Sequence, residues 1–256
     1  MPSRQHSPMS HSARLRRAEA LNARYEGSQP WEIIERVVRE EFPADAAVIS
    51  SFGEESVVLL HMVASVDPTT PVVFLDTGYQ FEETLAYRDR LIETLGLIQV
   101  ISAEPDAEQL AAEDPGGLLH RRDANFCCHL RKTLPMLRAV RGYGALLTGR
   151  KRFQSTTRAA LPLFEVQDSW IKVNPLALMS RQEIEAYAEL HRLPRHPLVR
   201  QGYRSIGCRP CTVPVKPGDD DRAGRWPGLE KTECGIHFGA PGQPVRRASP
   251  QRQDGR

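Results

Sequence analysis

Apolar residues recur along this chain in two alternating rhythms. Short unbroken runs at Ala46–Ser50, Pro71–Leu75, Leu97–Ser102 and Ala145–Thr148 read as buried strands. Between them, apolar residues return every three or four positions. Trp31–Phe42 places Trp31, Ile34, Val37 and Val38 at helical spacing, Val57–Val66 continues the pattern, and Phe81–Leu95 is charged and amphipathic. Strands alternating with helices predict an α/β fold with a doubly wound, mostly parallel sheet. Leu163–Val166 and Trp170–Val173 pair as a hairpin or extend that sheet. His129–Val140 reads as a helix that Pro135 kinks or breaks. Ser180 and Glu183 have capping-box spacing ahead of a helix over Arg181–Leu190. Asp106–Leu119 reads as an irregular link, and beyond Pro194 the chain becomes rich in Pro, Gly and Arg. Three segments follow: a disordered start over 1–28, helical at most over Ala13–Tyr25; a folded domain over 29–212; and a mobile tail over 213–256.

Composition narrows the function. The 256 residues are 40% hydrophobic, enough for one large domain with an appendage. A formal net charge of +2 argues against a nucleic-acid partner, while leaving basic residues to gather around a small anion. Residues 1–28 lack the apolar core of a signal peptide. No apolar run approaches a membrane span. The expectation is a cytoplasmic protein without a membrane partner, in which thiols stay reduced.

That expectation turns the five cysteines toward metal binding or catalysis. Cys127-Cys128 and Cys208-Arg-Pro-Cys211 are two pairs, which suit a tetra-thiolate centre, and Cys234 is left as a possible nucleophile. The adjacent first pair departs from zinc knuckles, which separate their cysteines by about two to four residues.

Three loops at strand ends suit an anion, because ligands of open α/β sheets bind beyond the carboxyl ends of the strands. Ser51-Phe52-Gly53-Glu54-Glu55-Ser56 puts a glycine and hydroxyls before a helix N-terminus, whose N–H groups and dipole favour negative charge. An ordinary tight turn with a serine cap fits the same residues. Asp76-Thr77-Gly78 offers a carboxylate for ribose hydroxyls or an adenine amine, or else a helix cap. Gly149-Arg150-Lys151-Arg152 is the most cationic and suits a phosphate or sulfate; a solvated charge run is its bland alternative.

Taken with Cys127-Cys-His-Leu-Arg131-Lys132, Gly202-Tyr-Arg-Ser-Ile-Gly-Cys208-Arg-Pro-Cys211-Thr212 and Glu233-Cys-Gly-Ile-His237, these loops resemble the assimilatory adenylyl-sulfate reductases, relatives of the phosphoadenylyl-sulfate reductases. The resemblance spans residues 46 to 237. It implies the adenine-nucleotide α-hydrolase-like fold and a [4Fe–4S] cluster on Cys127, Cys128, Cys208 and Cys211. It implies that the Cys234 thiolate attacks adenylyl sulfate, giving an S-sulfocysteine that thioredoxin resolves, within a homo-oligomer. Substrate contacts are expected from Ser51, Phe52, Gly53, Glu54, Ser56, Asp76, Thr77, Gly78, Lys132, Lys151, Arg152, Arg222, Arg225 and His237. Lys132, four residues after Cys128, reads as a bridge between cluster and substrate. His237 and Lys231 read as cations that help Cys234 ionise, and Arg222 and Arg225 as part of a lid. Lys151 stands where the family commonly has arginine, and Glu54 where it commonly has a small residue. Competing expectations are a phosphoadenylyl-sulfate or dual-substrate reductase, an ATP-using relative, and a zinc protein. Phe52 and Glu55 replace a glycine and an aspartate of the ATP-cleaving loop, which disfavours the second.

Overall fold

A computed structural model describes residues 9–229 and 231. Six strands form one sheet: β1 (Ala46–Ser50), β2 (Val72–Leu75), β3 (Val100–Ala103), β4 (Ala145–Thr148), β5 (Phe164–Gln167) and β6 (Trp170–Val173), in the order β3-β2-β1-β4-β6-β5. All neighbours run parallel except the β5–β6 hairpin. Val48 sits in register with Val72 on one side and Leu147 on the other. β1, β2 and β4 are nearly continuous apolar runs because both sheet faces are covered.

The alternation of side chains divides the core. Val48, Val72, Phe74, Leu147, Ile171 and Val173 join the larger cluster, which packs under α1 (His11–Arg24), α2 (Pro30–Arg36), α3 (Ser56–Val66), α4 (Glu82–Leu95) and α9 (Arg181–Leu190). Ala47, Val73, Leu75 and Leu146 face the other way, onto Met136 and Val140. That second face is covered by α8 (Leu134–Ala139), and α5 (Ala107–Glu113), α6 (Leu119–Arg122) and α7 (Ala124–Cys128) precede it in the chain, α6 and α7 contributing Leu119 and Cys127 to a small cluster of their own.

Several helices depart from the expected pattern. α2 passes into a π-helical turn over Val37–Glu41, and α7 into another over His129–Thr133. Pro135 follows directly on the second π-helical turn, inside a run that stays helical from Ala124 to Ala139, so the break expected there is taken up as a widened turn. The link over 106–119 contains α5, capped by Asp106, whose carboxylate accepts from Gln109 N. The Ser180–Glu183 capping box forms as its spacing predicts.

The described residues near both ends of the chain are held in place. The start of the chain is a fourteen-residue helix from His11, with Ala18 and Leu21 buried. Asn22 donates to Phe164 O at 2.7 Å and accepts from Phe164 N at 3.0 Å, so one side chain fills two backbone positions of edge strand β5. The described part of the tail packs back on the domain. Thr212 bridges Arg225, Val213 N donates to Gly224 O at 2.9 Å, and Trp226 is 2% exposed. Gly224 makes this contact possible, since a Cβ there would stand 2.1 Å from Val213 O. Among the described residues, no helix is long and apolar enough to cross a membrane.

Candidate active site

The strand order reverses between β1 and β4, and a cleft of about 200 Å³ opens at their carboxyl ends. This is the topological switch point at which open α/β sheets bind ligands. Ser51, Gly53, Glu54 and Ser56 line it from the β1 side, and Gly149, Arg150 and Lys151 from the β4 side.

In the first loop the left-handed residue is Phe52, with φ of 50°, and not the glycine. Its fully buried ring packs edge-on to Phe74 at 5.5 Å, and Ser50 Oγ accepts from its N–H. Phe52 therefore shapes the turn from beneath and, contrary to expectation, does not line the cleft. The Ser56 hydroxyl donates to Gly53 O as α3 begins. Glu54 also serves as a support. Its carboxylate accepts from His196 N at 2.6 Å and lies 3.5 Å from Arg195. Burial raises its pKa against the pull of both partners. His196 is itself buried and neutral, its pKa lowered by burial to about 4. Its Nδ1 accepts from Leu198 N, so Nε2 carries the proton toward Thr84 Oγ1 at 3.1 Å.

The loop after β4 presents its cations unequally. Lys151, 1% exposed, lies 2.9 Å from Glu55 and donates to Gly149 O. Burial lowers the Lys151 pKa, with Glu55 opposing. Arg150 is held by Glu165, Thr148 and Asn174. Arg152, expected at the substrate, turns away to donate to Leu161 O at 2.8 Å and does not line the cleft. Arg158 and Arg204 line it instead. Arg158 lies ten residues past β4 and Arg204 between α9 and the second cysteine pair, so neither sits at a strand end.

The loop after β2 also departs from expectation. Asp76 caps its own turn by accepting from Gly78 N at 3.0 Å. Thr77 is fully buried, with Oγ1 3.3 Å from Cys208 Sγ. Gly78 adopts φ of 70° with Arg131 close by. Thr77 thus turns to the cysteines, and neither Asp76 nor Gly78 lines the cleft, whereas Leu75 and Gln80 do. Arg131 fixes this turn by donating to Thr77 O at 3.0 Å, pairing with Asp114 at 2.9 Å and lying over the Tyr79 ring at 4.0 Å.

The two cysteine pairs meet. Cys127 and Cys128 end α7; Cys208 caps and Cys211 ends a 3-10 turn that Arg209 N ties to Tyr79 O at 2.7 Å. All four are free thiols lining one small cavity with Lys132, Arg131 and Trp226. Burial and the neighbouring sulfurs push the Cys127 thiol up to about 12. Burial also raises Cys208, but Lys132, Thr77 and Arg225 pull it below its ordinary value. Among the described residues, no three His, Cys, Asp or Glu side chains are grouped to hold one metal ion. A four-iron cube makes a different demand. It takes one thiolate per iron, so its ligands surround a volume and do not converge on a point. Four thiols, adjacent cations and the Trp226 indole N–H, which has no acceptor among the described residues, fit such a group.

Lys132, Cys208 and Trp226 line both the cysteine cavity and the cleft. Arg222 and Arg225 enter the cleft from the tail, Arg225 over the Trp226 ring at 4.6 Å. Gly207 leaves room for it, because a Cβ there would meet the Arg225 guanidinium at 2.3 Å. Asp221 pairs with Arg181 and lies 3.8 Å from Arg204, fastening this segment to α9. Lys231 lies over the Trp226 ring at 5.4 Å and donates to Asn125. Cys234 and His237 lie outside the described residues.

Residues 45–214 match the phosphoadenosine phosphosulfate reductase domain. The chain is 51% identical over 222 residues to the adenosine 5'-phosphosulfate reductase of Mesorhizobium japonicum, covering 87% of each. It is 44% identical over 184 residues to that of Mycobacterium tuberculosis, covering 70% of this chain and 72% of the other. Among solved structures, the phosphoadenylyl-sulfate reductase of Candida auris in its phosphate complex superposes with a TM-score of 0.67 at 26% identity, over 80% of this chain and 98% of that one. The FMN adenylyltransferase of Candida glabrata, at a TM-score of 0.53 and 14% identity over 85% and 83%, shares the fold alone. Fold, motifs and relatives agree that this chain belongs to the phosphoadenosine phosphosulfate reductase family.

Proposed function

We propose that the protein reduces adenylyl sulfate to sulfite and AMP in sulfate assimilation, as the names of its relatives suggest. The observation that carries this reading is the shared wall: Lys132 and Cys208 border both a cationic cleft at the switch point and a cavity of four thiols. The adenylyl group fits the cleft between β1 and β4. Cys127, Cys128, Cys208 and Cys211 are the residues to hold a [4Fe–4S] cluster. Such a cluster, when bound, supplies a fixed charged centre beside the substrate.

The chain's own residues account for the bond changes. The Cys234 thiolate attacks the sulfate sulfur. An S–S bond forms, the S–O bond to the phosphate breaks, and AMP leaves with that oxygen. Lys132, Arg158, Arg222 and Arg225 stabilise the growing charge on the leaving phosphate. A thioredoxin thiolate then attacks Cys234 Sγ, and sulfite departs with the electron pair of the S–S bond. The second thioredoxin thiol resolves the mixed disulfide, so the dithiol supplies both electrons and Cys234 is restored. A cytoplasmic homo-oligomer completes the reading.

The test is to incubate anaerobically purified protein with sulfur-labelled adenylyl sulfate and no thioredoxin. The expected result is a covalent label on Cys234 that disappears in Cys234→Ser and is released as sulfite by thioredoxin. Label only from the 3'-phosphorylated nucleotide would reassign the substrate. No label from either would overturn the reaction.

A further inference from the structure

An acid inside a cleft that attracts anions opposes its purpose. Glu55 is such an acid, and it lines the cleft. Its surroundings show what its charge is used for. Glu55 Oε2 lies 2.9 Å from Lys151 Nζ and accepts from Gln154 Nε2 at 2.6 Å. Oε1 lies 3.9 Å from Arg181. Burial raises the Glu55 carboxyl, and Lys151, Gln154 and Arg181 pull it below its ordinary value, so it carries its charge.

Two of these contacts lead onward to a second residue. The carboxylate has no proton to give, so Gln154 must turn its NH2 toward it. That fixes the amide: Oε1 faces the other way, where it accepts from Lys151 N at 3.1 Å and from Arg158 Nη1. Arg158 is buried and lines the cleft. On the other side, Arg181 holds Asp221, the residue before Arg222. One carboxylate thus stands behind two cations that reach the cleft from distant parts of the chain.

We propose that Glu55 is a positioning residue: it aims Arg158 through Gln154 and holds the Asp221–Trp226 segment in place through Arg181. It acts through these side chains and does not itself contact the sulfonucleotide. Lys151 balances its charge, so the net attraction of the cleft for an anion survives. The inference rests on the proposed nucleotide site.

The spokes test it better than the hub, because replacing Glu55 would also strand the buried Lys151. Gln154→Leu, Arg158→Ala and the double variant are compared for KM and kcat with adenylyl sulfate. Gln154→Leu is expected to raise KM about tenfold, the effect of losing the aim of one charged contact. Arg158→Ala raises it further, and the double variant no further than Arg158→Ala alone. The same cycle on Asp221→Asn and Arg181→Met is expected to give KM increases of about threefold that do not multiply. A KM for Gln154→Leu within twofold of the parent, or effects that multiply in the double variant, would overturn the proposal, as would a variant that fails to fold. If the parent protein itself did not turn over adenylyl sulfate, the nucleotide reading would be at fault; parent turnover with an unaltered Gln154→Leu would indict this inference alone.

Discussion

The cleft and the thiol cavity share a wall yet arrange charge by opposite rules. In the cleft, cations are tethered to acids: Lys151 to Glu55 at 2.9 Å, Arg150 to Glu165, and Arg204 to Asp221 at 3.8 Å. In the thiol cavity, Lys132 and Arg225 bear on sulfur, and the acid nearby, Asp114, is taken up by Arg131 at 2.9 Å. A tethered cation is held in one geometry and partly neutralised, which suits a guest that must arrive, react and leave. Cations turned onto thiols favour their ionised form, as at Cys208. Lys132 belongs to both regions.

The largest break in this contrast is expected from Cys208→Ser. It removes one of four thiols and should abolish iron and acid-labile sulfide together with visible absorption, and cut turnover at least about a hundredfold. A variant that kept its full iron content would remove Cys208 from the ligand set. Lys132→Ala addresses the shared wall and should lower kcat/KM about a hundredfold while leaving iron content intact. If it lowered only iron content, the residue would belong to the cavity alone.

A third measurement probes the support behind the cleft. The folded-state pKa of His196 is lowered to about 4 by burial, against an ordinary value of about 6.5. Between these values the unfolded chain binds the proton that the folded one refuses. The stability is therefore fully present above about pH 6.5 and is lost as pH falls toward 4. About 2 kcal/mol should be gone by pH 5, read from urea midpoints at the two pH values. His196→Gln should flatten that slope, and an unchanged slope would place the acid sensitivity elsewhere. A smaller effect is expected from Gly207→Ala, which displaces the Arg225 guanidinium and should raise KM about fivefold with little change in kcat.

How much was legible depended on whether a contact is local. β1 and β4 coincide with their apolar runs, and the Ser180–Glu183 box lies within four neighbouring residues. The cysteine pairs were legible as chemistry, and their meeting follows from the fold. Asp76–Gly78 misled because being at a strand end says how far a loop extends, not which way it turns. Arg131, some fifty residues away, fixes that turn at Thr77 O, and the Thr77 hydroxyl ends up against Cys208. Arg158 and Gln154 could not be found by spacing, since their value lies in a carboxylate about a hundred residues earlier. The first helix carries only two buried residues, Ala18 and Leu21, too weak a stripe to stand out from its polar composition.

That first helix has a consequence for handling the protein. A bare strand at the margin of a sheet is a template on which another molecule can build. Asn22 and its helix seal this margin with two hydrogen bonds from one amide. A chain shortened to begin near Pro30 would keep its catalytic chemistry whole but uncover β5. It should then self-associate with rising concentration, and light scattering would see this before any assay did.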